Sequence, residues 1–314
     1  MNNHEIEVIG HRRGRPAFLP EPGERHIPGE EGGIEGNAIK RFIGTRARSR
    51  WSTDGPDPAF MEKQIRYVWN FLLDRYFRVE TTGWERLPEG PVLFVGVHSG
   101  TWLTMDAWTL CAEWYRHFGT SRTLHGTAHD ALMAMPGLGS YFRKVGVVPA
   151  CRDSVSACLA QGHDVVVWPG GEVDAMRSWA KRDKVVLGGR RGFIRQAMRS
   201  KVPIVPVATA GGGDTVFVLS EGRGLAKLLR AKKLMRSEVC PLILGAPFGL
   251  ALEALPLHIP LPAKIRTEFL NPVFVDPDRE DDPLYVDHIY MKVEKSIQEG
   301  VNRLAARRKF PIFG

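Results

Sequence analysis

His98 stands directly after the apolar run 91–97 (PVLFVGV) and is followed by Ser99-Gly100-Thr101-Trp102-Leu103-Thr104-Met105-Asp106. A histidine at the end of a buried strand suits a general base, because its ordinary pKa of ~6.5 lets it take a hydroxyl proton near neutral pH. Such a base needs an acid to hold its tautomer and stabilise the imidazolium. Asp106 is the first carboxylate after it and Glu113 the next. Eight positions of continuous helix span about 12 Å at ~1.5 Å per residue, so both groups cannot sit in one helix and touch. His98 is therefore expected on a loop, folded back toward Asp106 by Ser99, Gly100 and Thr101.

A second group, Trp168-Pro169-Gly170-Gly171-Glu172, closes the run DVVVW at 164–168. Gly170 and Gly171 permit close backbone approach or a positive φ, and their N–H groups suit an anion or a developing oxyanion. A plain strand-ending turn is the alternative. In Val202-Pro203-Ile204-Val205-Pro206-Val207 the prolines imply an edge strand or a bulge. The stretch GVHSG (96–100) approaches the hydrolase pattern G-x-S-x-G with histidine in the nucleophile position. It leaves Ser99 as an alternative nucleophile of a lipid hydrolase. Gly211-Gly212-Gly213-Asp214-Thr215 lacks the lysine of a phosphate-binding loop and the spacing of a dinucleotide fingerprint.

The elements that must position these residues follow from the apolar pattern. Strands at 91–97, 145–149, 164–168 and 202–209 alternate with helices at 104–118, 153–161 and 188–200. That alternation predicts an α/β fold with a mostly parallel central sheet flanked by helices, whose strand ends present ligand-binding loops. Residues 1–57, rich in Gly, Pro, Arg and Glu, are expected to be flexible, with the folded domain covering 58–314. A helix over 58–78 carries Met61, Ile65, Val68, Trp69, Leu72, Leu73 and Tyr76 at helical spacing. Lys63, Arg66, Arg75 and Arg78 stand ready for lipid headgroups if that helix lies on a membrane. The segment 240–263 is apolar but holds Glu253 and five prolines, which excludes a straight spanning helix. It reads either as a buried hairpin or as a segment dipping into one leaflet. A C-terminal helix is expected over 284–309.

The 314 residues are 43% apolar and 25% charged, which excludes wholesale disorder and coiled coil. A net charge of +8 suits an anionic partner without choosing one. The four cysteines show no metal-like spacing and read as buried and reduced, and no apolar start suggests a secretory signal.

Taken together, H-S-G-…-D, GVVPACR (146–152), WPGGE (168–172), GGRRGF (188–193) and VPIVPV (202–207) stand in the order of the blocks of the glycerolipid acyltransferases. The chain resembles the monoacylglycerol/diacylglycerol-acyltransferase-like branch of the lysophospholipid acyltransferase superfamily over about residues 79–275. The leader VETTGWERLPEGP (79–91) adds to the match. The resemblance implies a glycerol-phosphate-acyltransferase-like fold and transfer of a fatty acyl group from a thioester to a glycerolipid hydroxyl. His98 would be the base and Asp106 its orienting acid, although seven residues separate them where the family pattern has four. Ser99, Gly100, Arg152, Gly170, Gly171, Glu172 and Arg191 would bind substrate. Acyl-CoA or an acyl-carrier thioester would be co-substrate, with no cofactor, no metal and no nucleic acid. The lipid acceptor implies a cytoplasmic protein held peripherally on the inner face of a membrane, through 58–78 and 240–263. A non-catalytic lipid-binding module of the same fold remains the non-enzymatic alternative.

Overall fold

The computed structural model describes residues 51–228, 239–253, 258–310 and 312. The flexible segment expected over 1–57 lies outside these residues up to position 50, as does 254–257 within the apolar segment. From 51 to 57 the chain is seated on the domain. Trp51 packs against the core, and the Asp57 N–H donates to the Lys144 carbonyl at 2.9 Å. The boundary drawn at 57/58 thus falls inside packed chain.

Asp57 caps α1 (Pro58–Gln64) by accepting from the Phe60 N–H, with Pro58 in the first turn where its missing N–H costs nothing. Two π-helical turns, Ile65–Trp69 and Leu72–Tyr76, continue it. The main sheet then assembles from β1 (Glu80–Thr82), β2 (Leu93–Val95), β3 (Leu124–Ala128), β4 (Val148–Pro149), β5 (Asp164–Val167), β6 (Ile204–Ala210) and β10 (Arg266–Phe269). Its order is β1-β10-β6-β2-β5-β3-β4, and the five strands from β6 to β4 are parallel. β10 pairs antiparallel to β6.

Successive residues of these strands enter opposite cores, as the two-residue period of a strand requires. Leu93, Val95, Val165 and Ile204 face one cluster, and Phe94, Val166, Val205 and Val207 the other. Both faces are covered, which is why the strands read as continuous apolar runs. Helix α2 (Met105–Phe118) covers the second face with Leu110 and Trp114. On the first lie α5 (Arg152–Ala160), α7 (Gly192–Ser200) and the long α9 (Pro283–Ala306). The shorter helices α3 (Asp130–Ala134), α4 (Leu138–Lys144), α6 (Gly171–Ala175) and α8 (Arg223–Leu228) occupy the connections.

The prolines of 202–207 do not mark an edge strand. β6 is interior, between β2 and β10. Pro206 is accommodated because the ladder to β10 changes register there. Phe269 pairs with Val207 and the Leu270 N–H donates to the Pro206 carbonyl, whereas the next bridge, Ile204 to Val273, is one residue out of step. The expected bulge is present, and it falls where Pro206 has no N–H to give.

Within the apolar segment, β8 (Leu242–Gly245) and β9 (Gly249–Leu252) form a hairpin, which joins β7 (Phe217–Ser220) in a separate three-stranded sheet. Ile243 and Ala251 turn inward with Val216 and Val218. Leu244, Leu250, Leu252 and the tip residue Phe248 are exposed. On α1 and its continuation Tyr67, Val68 and Phe71 are exposed beside Lys63, Arg66 and Arg75. Arg78 departs from its expected place among headgroup contacts: its guanidinium donates to the Tyr76, Pro262 and Ile312 carbonyls. No helix among the described residues is long and apolar enough to cross a membrane. The four cysteines are free, and Cys151 is exposed rather than buried.

Candidate active site

Because β2, β5, β3, β4 and β6 are parallel, the loops after them share one edge of the sheet. His98 follows β2 there, and its imidazole stacks on the Trp168 indole at 4.5 Å between ring centroids and 12° between planes. Trp168 follows β5, the neighbour of β2, so strand pairing itself brings the two rings together. Asp106 lies in the first turn of α2, where the helix dipole favours a carboxylate. Its Oδ2 is 3.4 Å from His98 Nδ1 and its Oδ1 accepts the Ser99 N–H at 3.2 Å. One carboxylate thus holds both the ring and the loop behind it.

The turn that closes this eight-residue gap runs through three positive φ values. Gly100 has φ +82°, and Thr101 and Thr104 follow at +62° and +34°. Left-handed conformation is costly for a β-branched residue. Thr101 is held in it by burial and by Glu253, whose Oε1 lies 2.8 Å from its hydroxyl. Gly100 must lack a side chain, since a Cβ there would stand 2.6 Å from Thr215 Oγ1. At Gly212 a Cβ would stand 2.3 Å from Ser99 Oγ. Gly212, in a tri-glycine stretch that fits no nucleotide motif, together with Thr215 is the floor on which the His98 loop rests.

Beneath the histidine is a buried charge cluster that the sequence did not disclose. Asp174 Oδ2 accepts the His98 N–H at 2.5 Å, and Asp174 is paired with Arg177. Asp106, Asp174 and Arg177 are 2%, 0% and 7% exposed, so none is screened by solvent. Burial pulls the Arg177 pKa down to about 10, against the opposing pull of the Asp106 charge. At that value the guanidinium remains charged at neutral pH and offsets the two carboxylates. The acid in contact with the histidine backbone is therefore Asp174, two residues beyond the Glu172 singled out by sequence. The three-residue spacing of Asp174 and Arg177 across the end of α6 was the available signal.

The remaining site residues separate into two groups. Gly170 is needed for packing: a Cβ would lie 2.0 Å from the Val186 carbonyl oxygen. Gly171 adopts φ +58° beneath the Arg190 guanidinium, and its N–H donates to the Trp168 carbonyl instead of standing free for an oxyanion. Arg190 donates to the Pro169 carbonyl at 2.7 Å and lies 3.8 Å from Glu172. Arg191, expected at the substrate, is instead bound to Asp287 of α9 and the Gly189 carbonyl, with its guanidinium over the Tyr290 ring. The cation against the Pro-Gly-Gly turn is Arg190. Arg152 opens α5 at the end of β4, exposed and with no hydrogen bond or ion pair among the described residues. Three strand intervals of ~4.8 Å place the β4 end about 14 Å from that of β2. No group of three or more His, Cys, Asp or Glu among the described residues could hold a metal ion.

Residues 78–210, which carry the His98 loop, the Trp168 turn and β6, match the family model described as Acyltransferase. The chain is 30% identical over 284 residues to an uncharacterised protein of Mycobacterium tuberculosis, covering 88% of this chain and 76% of that one. This chain belongs to the glycerolipid acyltransferase superfamily. The acyltransferase is also 26% identical over 216 residues to the DGAT1/2-independent enzyme synthesizing storage lipids of Bos taurus, covering 68% of this chain and 58% of that one. The human protein of the same description is likewise 26% identical, over 68% of this chain and 60% of its own. Among solved structures, the 1-acyl-sn-glycerophosphate acyltransferase PlsC of Thermotoga maritima superposes with a TM-score of 0.48 and 17% identity, over 81% of each chain.

Proposed function

We propose that this acyltransferase moves a fatty acyl group from acyl-CoA, or an acyl-carrier thioester, to a hydroxyl of a glycerolipid at a membrane surface. The observation that carries the reading is the His98–Asp106 contact at Nδ1, which leaves Nε2 for the acceptor. Nε2 takes the hydroxyl proton as the oxygen attacks the thioester carbonyl. The tetrahedral intermediate then collapses, an ester forms, and the C–S bond breaks. The thiolate leaves with the proton from the imidazolium. Neither a metal nor a redox cofactor enters this balance.

The exposed apolar hairpin face and the Tyr67, Val68 and Phe71 patch with its flanking cations support peripheral contact with a cytoplasmic membrane face. The storage-lipid relatives favour a neutral acylglycerol acceptor, whereas an unpaired Arg152 keeps a phosphorylated acceptor in play. Against the hydrolase reading, Ser99 is buried under Gly212, and among the described residues no hydrogen bond joins its hydroxyl to His98. Incubation with labelled acyl-CoA and a panel of monoacylglycerol, lysophosphatidate and glycerol 3-phosphate tests the proposal. Labelled ester is the expected product. Free fatty acid alone would support the hydrolase, and no turnover with any pair would leave a lipid-binding module.

A further inference from the structure

We infer that the pocket beneath the β8–β9 hairpin binds the headgroup of an uncharged lipid carrying a pair of hydroxyls, through Glu253 and His258. The pocket, about 180 Å³, is walled by Ile243, Ala246, Phe248 and Leu252, with Glu253 and His258 at its polar end. Those two residues are 3% and 6% exposed, and Glu253 Oε1 lies 2.7 Å from His258 Nδ1. Glu253 Oε2 and His258 Nε2 are both buried with no hydrogen-bond partner among the described residues. Two polar atoms left unsatisfied together in an apolar pocket call for a ligand that satisfies both.

The chemistry of that ligand follows from the dyad. A carboxylate cannot donate, so Nδ1 carries the shared proton; with the ring in its neutral form Nε2 is an acceptor. Two neighbouring acceptors require two donors. A phosphate or carboxylate headgroup brings none and would face the Glu253 carboxylate, and among the described residues no lysine or arginine lines the pocket. A glyceryl diol on an apolar tail supplies both donors and fits the apolar walls.

Occupancy would also reach the catalytic loop, a link that rests on the acyltransferase reading of His98. Glu253 Oε1 lies against the hydroxyl of Thr101, the strained residue three positions after His98, and the Glu253 carbonyl accepts the Trp102 indole N–H at 3.2 Å. Trp102 and Thr101 are thereby tied to the hairpin that walls the pocket.

The test is equilibrium binding of labelled 1-monooleoylglycerol, methyl oleate, oleate and oleylamine to the full chain in one nonionic detergent. Two hydrogen bonds predict about tenfold tighter binding of the diol than of the methyl ester. His258→Phe should abolish that preference without changing the melting temperature by more than a few degrees. Glu253→Gln should strengthen oleate binding, because it removes the repelling charge and adds a donor; this reversal would not arise from a structural role and decides the matter if His258→Phe fails to fold. Equal binding of methyl ester and diol, stronger binding of oleylamine, or an unchanged preference in both variants would overturn the inference. Binding is read without catalysis, so the two readings fail separately. A protein that prefers the diol yet transfers no acyl group keeps this site and loses the catalytic proposal, and normal transfer without diol preference does the reverse.

Discussion

His98 can work as a base only while Nε2 is free and Nδ1 keeps its proton, and Asp106 sets both conditions from a single buried carboxylate. Removing the base, His98→Ala, should lower acyl transfer by roughly 10²–10⁴-fold while the melting curve is retained. Asp106→Asn keeps the shape but offers an amide N–H to the ring, favouring the wrong tautomer, and should lower kcat with little change in KM. A folded His98→Ala protein with wild-type turnover would refute the mechanism. The arginines give a paired comparison at the same scale. Arg152 is exposed and unpaired, so Arg152→Lys should raise KM for a phosphate-bearing substrate, since an ammonium cannot grip phosphate bidentately. Arg191 is already engaged by Asp287, and Arg191→Lys should leave KM unchanged. If the Arg191 variant shifts KM and the Arg152 variant does not, the anion site belongs at the Gly-Gly-Arg-Arg turn.

The strands β2, β5 and β6 were legible in the sequence because both their faces are buried and their apolar runs are unbroken. β10 was not, because Arg266 and Glu268 interrupt its pattern. These charges are answered across the fold by Glu80 and by Arg86 and Arg303, contacts that no local window contains. The His98 and Asp106 types and the fold-back between them were readable from helix geometry. Asp174 was not, since its function is to accept a backbone N–H from a residue 76 positions away. The glycines of 211–213 were visible, but their use depends on which loop lies over them. Gly212→Ala should therefore act on catalysis: the methyl meets Ser99 Oγ at 2.3 Å and Asp106 Cβ at 3.3 Å, displacing the loop that Asp106 holds. Kinetics and a thermal melt together check it, with kcat expected to fall further than stability. The hairpin makes its own prediction. Leu244→Ser with Leu250→Ser removes two exposed apolar side chains that line neither the core nor the pocket, so flotation with anionic vesicles should weaken while turnover of a soluble acceptor persists. High salt should reduce only the share of binding due to the cations near α1.

At the scale of the whole molecule, the same parallel sheet that gathers the catalytic loops also buries a titratable group within it. His125 of β3 is fully buried, with Nδ1 donating to the Gly146 carbonyl at 2.7 Å and Nε2 3.1 Å from His163 Nδ1. Burial pulls its pKa down to about 4, partly opposed by the Gly146 carbonyl and reinforced by His163. In the unfolded chain a histidine titrates near 6.5. Between those two values the unfolded state binds the extra proton and the folded state does not, so stability falls as the pH falls. The contribution of the neutral ring is fully present above about pH 6.5 and is lost progressively toward pH 4. One pKa unit corresponds to 1.36 kcal/mol, which makes the loss about 2 kcal/mol by pH 5. Denaturant midpoints at pH 7 and pH 5 measure it directly. His125→Asn places its amide N–H near the Nδ1 position, keeping a donor for the Gly146 carbonyl, but cannot titrate. It should lower stability at pH 7 and flatten the change between pH 7 and pH 5. An equally steep pH dependence in that variant would assign the acid sensitivity to another buried group and leave His125 a silent member of the core.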